Sequence, residues 1–184
     1  TLVMTDPYPL SDESVGSLLN DSERTVFLSA SSRLLRLTGL GEPSTAPVTA
    51  VEPGCDVDYL SRVGEIVPER LFTPASDATA CFTAADGGSA VLIESSLASV
   101  TVVEGTRLFS NEHLADNGNA ALGLALLGQT GHGVWYVPTF ADGDQTGESP
   151  ETLGSLTPDW VTPVLLLLAV AAIMGLLVAC LAVP

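Results

Sequence analysis

The residues best suited to chemistry stand together late in the chain: Ser110, Asn111, Glu112 and His113, then Asp116, Asn117 and Asn119. A histidine beside carboxylates and amides, where a strand hands the chain to a helix, is the material of general bases and ligand-orienting groups. In open α/β sheets such junctions are also where ligands bind. Two roles fit this composition. Asn111, Glu112, His113 and Asn119 either converge on a ligand or cap the backbone groups left free at a helix start. The chain has one further histidine, His132, and no H-E-x-x-H or comparable spacing, so no metal set is expected.

Other catalytic patterns are missing from the sequence. A nucleophile on a strained strand-to-helix turn needs flanking glycines, as in G-x-S-x-G. No serine has them, Cys55 stands in E-P-G-C-D-V-D, and Cys81 stands in the strand-like T-A-C-F-T. Asp56 and Asp58 make only part of a calcium loop. No glycine-rich phosphate loop occurs, so no nucleotide cofactor is expected. The residues point to a protein that is not an enzyme.

Of the three cysteines, Cys180 lies in a long apolar run and reads as a small apolar residue. Cys55 and Cys81 fall in the polar part of the chain. Two separate buried thiols would account for them, but a disulfide is the preferred reading. Closing a loop of that length contributes ~3.5 kcal/mol on the chain-entropy model.

Net charge is −16, and all six cationic side chains are arginine. Such a surface repels phosphate, which argues against nucleic acid as a partner and against electrostatic attachment to anionic lipid.

The elements that would position these residues alternate. Residues 2–5 read as a strand. A helix follows, with Ser11 as N-cap, Asp12 and Glu13 in its first turn, and Leu10 placed to staple onto Val15. Residues 25–30 read as a second buried strand, and a short helix after Ser31 or Ser32 is ended by Gly39. This rhythm predicts an α/β fold, a parallel sheet with helices on both faces. Residues 41–77 read as an elaborated loop around a possible strand at 48–51. Strands are expected at 78–83, 90–94 and 99–103, with Asp86, Gly87 and Gly88 turning an antiparallel hairpin. A short strand at 107–110 would lead into helical residues 111–128, interrupted at Asn117 or Gly118. Residues 133–138 read as a last core strand.

Residues 161–183 carry no charge, and at 1.5 Å per residue they cross a hydrocarbon core of ~30 Å. Insertion is favourable by roughly 4 to 7 kcal/mol on the translocon scale. Pro163 suits the first turn of this span, and Trp160 falls at headgroup height, a membrane-interface anchor. The expected organisation is an extracytoplasmic domain at 1–138, a juxtamembrane linker at 139–159 and one transmembrane helix at 160–184. No arginine lies near enough to the span to fix its orientation.

Four segments carry a family resemblance: L-V-M-T-D-P-Y-P-L-S-D-E (residues 2–13), L-F-S-N-E-H-L-A-D-N-G-N-A-A-L-G-L-A-L-L-G (108–128), V-W-Y-V-P (134–138) and L-T-P-D-W-V (156–161). Together they resemble the actinobacterial membrane proteins of domain of unknown function forty-three fifty, often encoded beside MoxR-type AAA ATPases. The resemblance implies a Rossmann-like or amidotransferase-like sheet, incomplete here, displayed outside the cell between two membrane helices and without a catalytic Cys and His. The expected role is that of a membrane-anchored accessory protein whose partners are the lipid bilayer and other membrane proteins. A small-ligand-binding domain or a degenerate hydrolase is the alternative.

Overall fold

Runs of apolar residues bounded by turn formers become strands, and runs behind a capping serine become helices. The computed structural model describes residues 1–94, 99–143 and 164 of the chain. Among them the element order is β1 (Leu2–Met4), α1 (Asp12–Asp21), β2 (Thr25–Phe27), α2 (Ser32–Thr38), β3 (Gly41–Pro43), β4 (Phe72–Pro74), β5 (Ala78–Thr83), β6 (Ser89–Glu94), β7 (Val100–Val103), α3 (Gly105–Leu108), α4 (Asn119–Leu127) and β8 (Val134–Tyr136). The chain divides into two units, Thr1–Asp144 and Gln145–Pro184, and all these elements belong to the first.

The strands form one mixed sheet in the order β3-β4-β6-β7-β2-β1-β8, with β5 paired to β6 outside that path. β7, β2, β1 and β8 run parallel. The remaining pairs are antiparallel, including the expected β5–β6 hairpin. The α/β expectation therefore holds.

Both faces of the sheet are buried. Leu2 and Met4 of β1 enter one core and Val3 the other; Leu92 of β6 joins the first, while Val91 and Ile93 join the second. This period of two, apolar on both sides, marks a sheet covered on each face. Val15 of α1 with Leu34 and Leu35 of α2 fills the first core; Leu108 of α3 with Leu122 and Leu126 of α4 fills the second.

The helix signals act locally, as anticipated. Ser11 Oγ accepts from the Ser14 N–H at 3.2 Å and Ser31 Oγ from the Leu34 N–H at 3.3 Å. Gly39 closes α2 at φ 69°, where a side chain would be strained. Leu10 and Val15, the expected staple, are buried in the same core.

Several expectations need correction. Residues 107–110 are not a strand. Phe109 N–H donates to Gly105 O and Ser110 N–H to Arg107 O, helical bonds that begin once Gly105 N–H has bonded Leu28 O at 2.9 Å. The helix expected over 111–128 begins only at Asn119. The interruption is its true start, because Asn117 adopts the left-handed conformation and Gly118 N–H is taken by Glu65 O. The strand expected at 133–138 forms over Val134–Tyr136, yet this β8 is an exposed edge among the described residues and not a core strand. Residues 41–77 contain paired β3 and β4, while the strand expected at 48–51 shrinks to one bridge, Val51 with Ile66.

The segment between β3 and β4 lays Val51, Leu60, Val63 and Ile66 into the α3/α4-side core. Cys55 and Cys81 are joined in a disulfide, 26 residues apart with Cα atoms at 5.1 Å, so the separate-thiol alternative is set aside. Phe82 N–H donates to Pro53 O beside it.

No helix among the described residues is long and apolar enough to cross a membrane. Trp160 and the expected span 161–183 lie outside the described residues, apart from Val164.

Candidate functional site

The polar cluster singled out in the sequence lies on a run of turns between α3 and α4. His113 N–H and Leu114 N–H both donate to Ser110 O, and Asp116 N–H to His113 O. The imidazole Nδ1 of His113 lies 3.0 Å from Asp116 Oδ2. Asn119 Nδ2 donates to the His113 carbonyl at 2.7 Å, and Ser110 Oγ donates to Arg107 O. The fold thus gathers His113, Asp116 and Asn119, and it leaves Asn111 and Glu112 exposed. The buried amide of Asn119 holds the turn, with its Oδ1 lacking a partner among the described residues. Gly118 makes the close approach possible: a Cβ there would sit 2.6 Å from Gly64 O.

A second group of polar residues lies at the carboxyl ends of the parallel strands. The chain leaves β2 toward α2 on one face and leaves adjacent β7 toward α3 and α4 on the other. Neighbouring strands whose connections depart to opposite faces form the switch point at which α/β sheets hold ligands. Asp6, just after β1, is spent on the backbone, its carboxylate accepting the Ser31 N–H while its own N–H donates to Ser29 Oγ.

Glu104 follows β7 at this point and is 0% exposed. Its Oε2 lies 3.0 Å from Nη2 of Arg70, whose side chain is 57% exposed. Burial pushes the Glu104 carboxyl above its usual range, the Arg70 cation opposes that shift, and Glu69 adds to it. Sequence reasoning missed this residue. The available signal was a lone acid between the β-branched run V-T-V-V and a glycine.

Beside the switch point runs an apolar groove of about 400 Å³, lined by Leu28, Phe109, Leu114, Ala120, Gly123, Leu124, Leu126, Leu127 and Trp135. None of these side chains is charged. Leu124 is 75% exposed and Trp135 57%. Further along the same strand's exit, Phe140 stacks edge-on against Tyr8 with ring centres 6.5 Å apart. Large apolar side chains left in water at neighbouring positions generally mark a surface that something else covers.

The family described as Domain of unknown function (DUF4350) matches residues 1–127. The chain belongs to this family. The DUF4350 match runs from β1 through α4, so it takes in Glu104, the His113 turn and most of the groove, and β8 follows it. A curated relative, the uncharacterized membrane protein Rv3691 of Mycobacterium tuberculosis, is 30% identical over 112 residues, covering 59% of this chain and 28% of the relative. The chain therefore spans less than a third of that protein's length. No solved structure matches the chain.

Proposed function

We propose that this chain is a membrane-anchored, non-catalytic accessory protein whose outer domain binds a partner protein through the uncharged groove between α4 and β8. The observation that carries the reading is the groove itself, an exposed apolar strip on a chain of net charge −16. An acidic surface keeps such a domain soluble and unattached everywhere except where charge is withdrawn. Cys55 and Cys81 are joined to each other, which removes both as nucleophiles and suits an oxidising, extracytoplasmic compartment. The relative's description as a membrane protein supports attachment to a bilayer. Within the amidotransferase-like fold implied by the family resemblance, the sheet serves as a scaffold, and the partner belongs to a membrane system that includes a MoxR-type ATPase.

A tagged full-length chain is purified from its own membranes in mild detergent, beside Leu124→Glu. The wild type retains a discrete partner and the variant loses it while keeping the same thermal midpoint, because Leu124 is mostly in water. Equal retention by both chains defeats the groove as the contact, and turnover of a peptide, amide or glycan by the purified chain defeats the non-catalytic role.

One observation favours a second reading, small-ligand binding: a volume of about 400 Å³ falls within the range of small-molecule sites, roughly 300 to 1,000 Å³. A lipophilic molecule co-purifying in stoichiometric amount, in place of a protein, decides for it.

A further inference from the structure

β8 closes the parallel end of the sheet, and β1 is its strand partner among the described residues, in the register Leu2 with Val134, Val3 with Trp135 and Met4 with Tyr136. Val134 N–H donates to Thr1 O at 2.9 Å. Along a parallel strand, residues that bond one neighbour alternate with residues whose N–H and C=O face the other way. Trp135 therefore turns its backbone donor and acceptor to the side of β8 that carries no strand among the described residues. Its side chain enters the groove with Leu124 and Leu127, while Val134 faces the opposite cleft beside Leu18.

The charge around this edge is arranged in three zones. Residues 133–140 contain no ionisable group except the Tyr136 phenol. At the amino end, Asp21 and Glu23 line the cleft with Val134 and His132. Arg24 lines it too, but its guanidinium lies over the Tyr59 ring at 4.8 Å and donates to the Tyr59 hydroxyl. At the carboxyl end stands Asp142, whose carboxylate accepts from both Thr139 N–H and Thr139 Oγ1 at 2.8 Å, which holds it below the usual range and so ionised. The edge is neutral and apolar in its middle and carries carboxylates at both ends, Asp21 and Glu23 beside Arg24 and the Thr1 ammonium at one and Asp142 at the other.

These features select an occupant. An acyl chain would fill the groove and leave the Trp135 N–H and C=O unpaired. A helix satisfies its own backbone and would do the same. An extended polypeptide pairs the open edge, and every second side chain of it falls on the groove side. We infer that β8 accepts a segment of the partner protein as an added strand, apolar at alternate positions and flanked by Lys or Arg. The inference rests on the interaction reading above and names the chemistry of the partner.

The test uses the full chain in phosphatidylcholine nanodiscs with Trp160→Phe, which leaves Trp135 as the reporter. The probe is the acetylated peptide Lys-Lys-Val-Thr-Val-Thr-Val-Lys-Lys, compared with one carrying Pro at the central Val and one with Glu for every Lys. The expected result is a saturable blue shift of Trp135 emission and slowed hydrogen exchange of the Trp135 amide. Affinity falls at least tenfold for the Pro and Glu peptides and for Leu124→Glu. If the Pro peptide binds as well as the first, or the Trp135 amide exchanges at an unchanged rate, strand addition is overturned. If no peptide binds while the native partner is still captured through Leu124, strand addition fails and the interaction reading survives. If neither peptide nor partner binds, both fall.

Discussion

Replacing Arg70 with Met should destabilise the α/β domain by about 2 to 3 kcal/mol at pH 7. Two unit charges at the observed 3.0 Å attract by about 5 kcal/mol at an effective dielectric of 20, and breaking a buried pair generally costs about 3 to 5 kcal/mol. Arg70 is 57% exposed, so water already screens part of the attraction and the cost falls to the bottom of that range or just below it. What remains in the variant is a carboxylate with no exposure and no cation. The pH dependence has a definite sign. Burial raises the folded-state Glu104 carboxyl above its unfolded value, so the folded chain binds this proton more readily. Its contribution to stability is greatest below the unfolded value of about 4.3 and declines as pH rises through the folded value. Arg70→Met raises the folded value further, so its cost is largest at pH 7 and shrinks toward pH 5. Glu104→Gln lacks the titration altogether, and the double variant should be more stable than Arg70→Met alone. Urea unfolding of the full chain in nanodiscs at both pH values, run as a double-mutant cycle, measures this. A cost below about 0.5 kcal/mol at pH 7, or one that does not change with pH, refutes the reasoning.

Three further outcomes are expected. Replacing Cys55 and Cys81 together with Ala removes a loop constraint of about 3.5 kcal/mol and lowers the calorimetric midpoint by roughly 10 °C; an unchanged midpoint means the bridge adds nothing. Gly118→Ala places a Cβ against the Gly64 and Glu65 carbonyls and costs about 1 to 3 kcal/mol in chemical denaturation, whereas a neutral result means the Glu65–Gly118 contact is loose. His113→Ala loses a pair with Asp116, whose carboxylate is 57% exposed, and changes stability by about 1 kcal/mol or less, with partner capture intact. Lost capture in that variant restores the ligand-binding role of the Asn111–His113 turn.

What could be read from the sequence was what short-range chemistry decides. Ser11, Ser31 and Gly39 act within a turn of their own positions, and the Asp86-Gly87-Gly88 turn fixes the β5–β6 hairpin by itself. The alternation of strands and helices was legible because both cores draw on apolar runs at the right spacing. Long-range choices were not. Residues 107–110 have strand-like composition, but the Gly105 to Leu28 bond turns the chain into α3 first. β3 and β4 are three-residue strands whose pairing spans the whole intervening segment, so neither announces itself locally. The V-W-Y run identified β8 without saying that it lies at the edge, which only the strand order reveals. Glu104 was passed over because nothing adjacent in sequence predicts that Arg70 will meet it.

On the function proposed, the groove and edge beside β8 are where this protein meets its partner. Photo-crosslinking in native membranes tests it most directly, with benzoyl-phenylalanine placed at Leu124 or, as a control on the other face of the sheet, at Glu13 of α1. A single protein adduct of defined mass from position 124 and none from position 13 is the result expected. Adducts from position 13 alone, or only lipid adducts from position 124, contradict it.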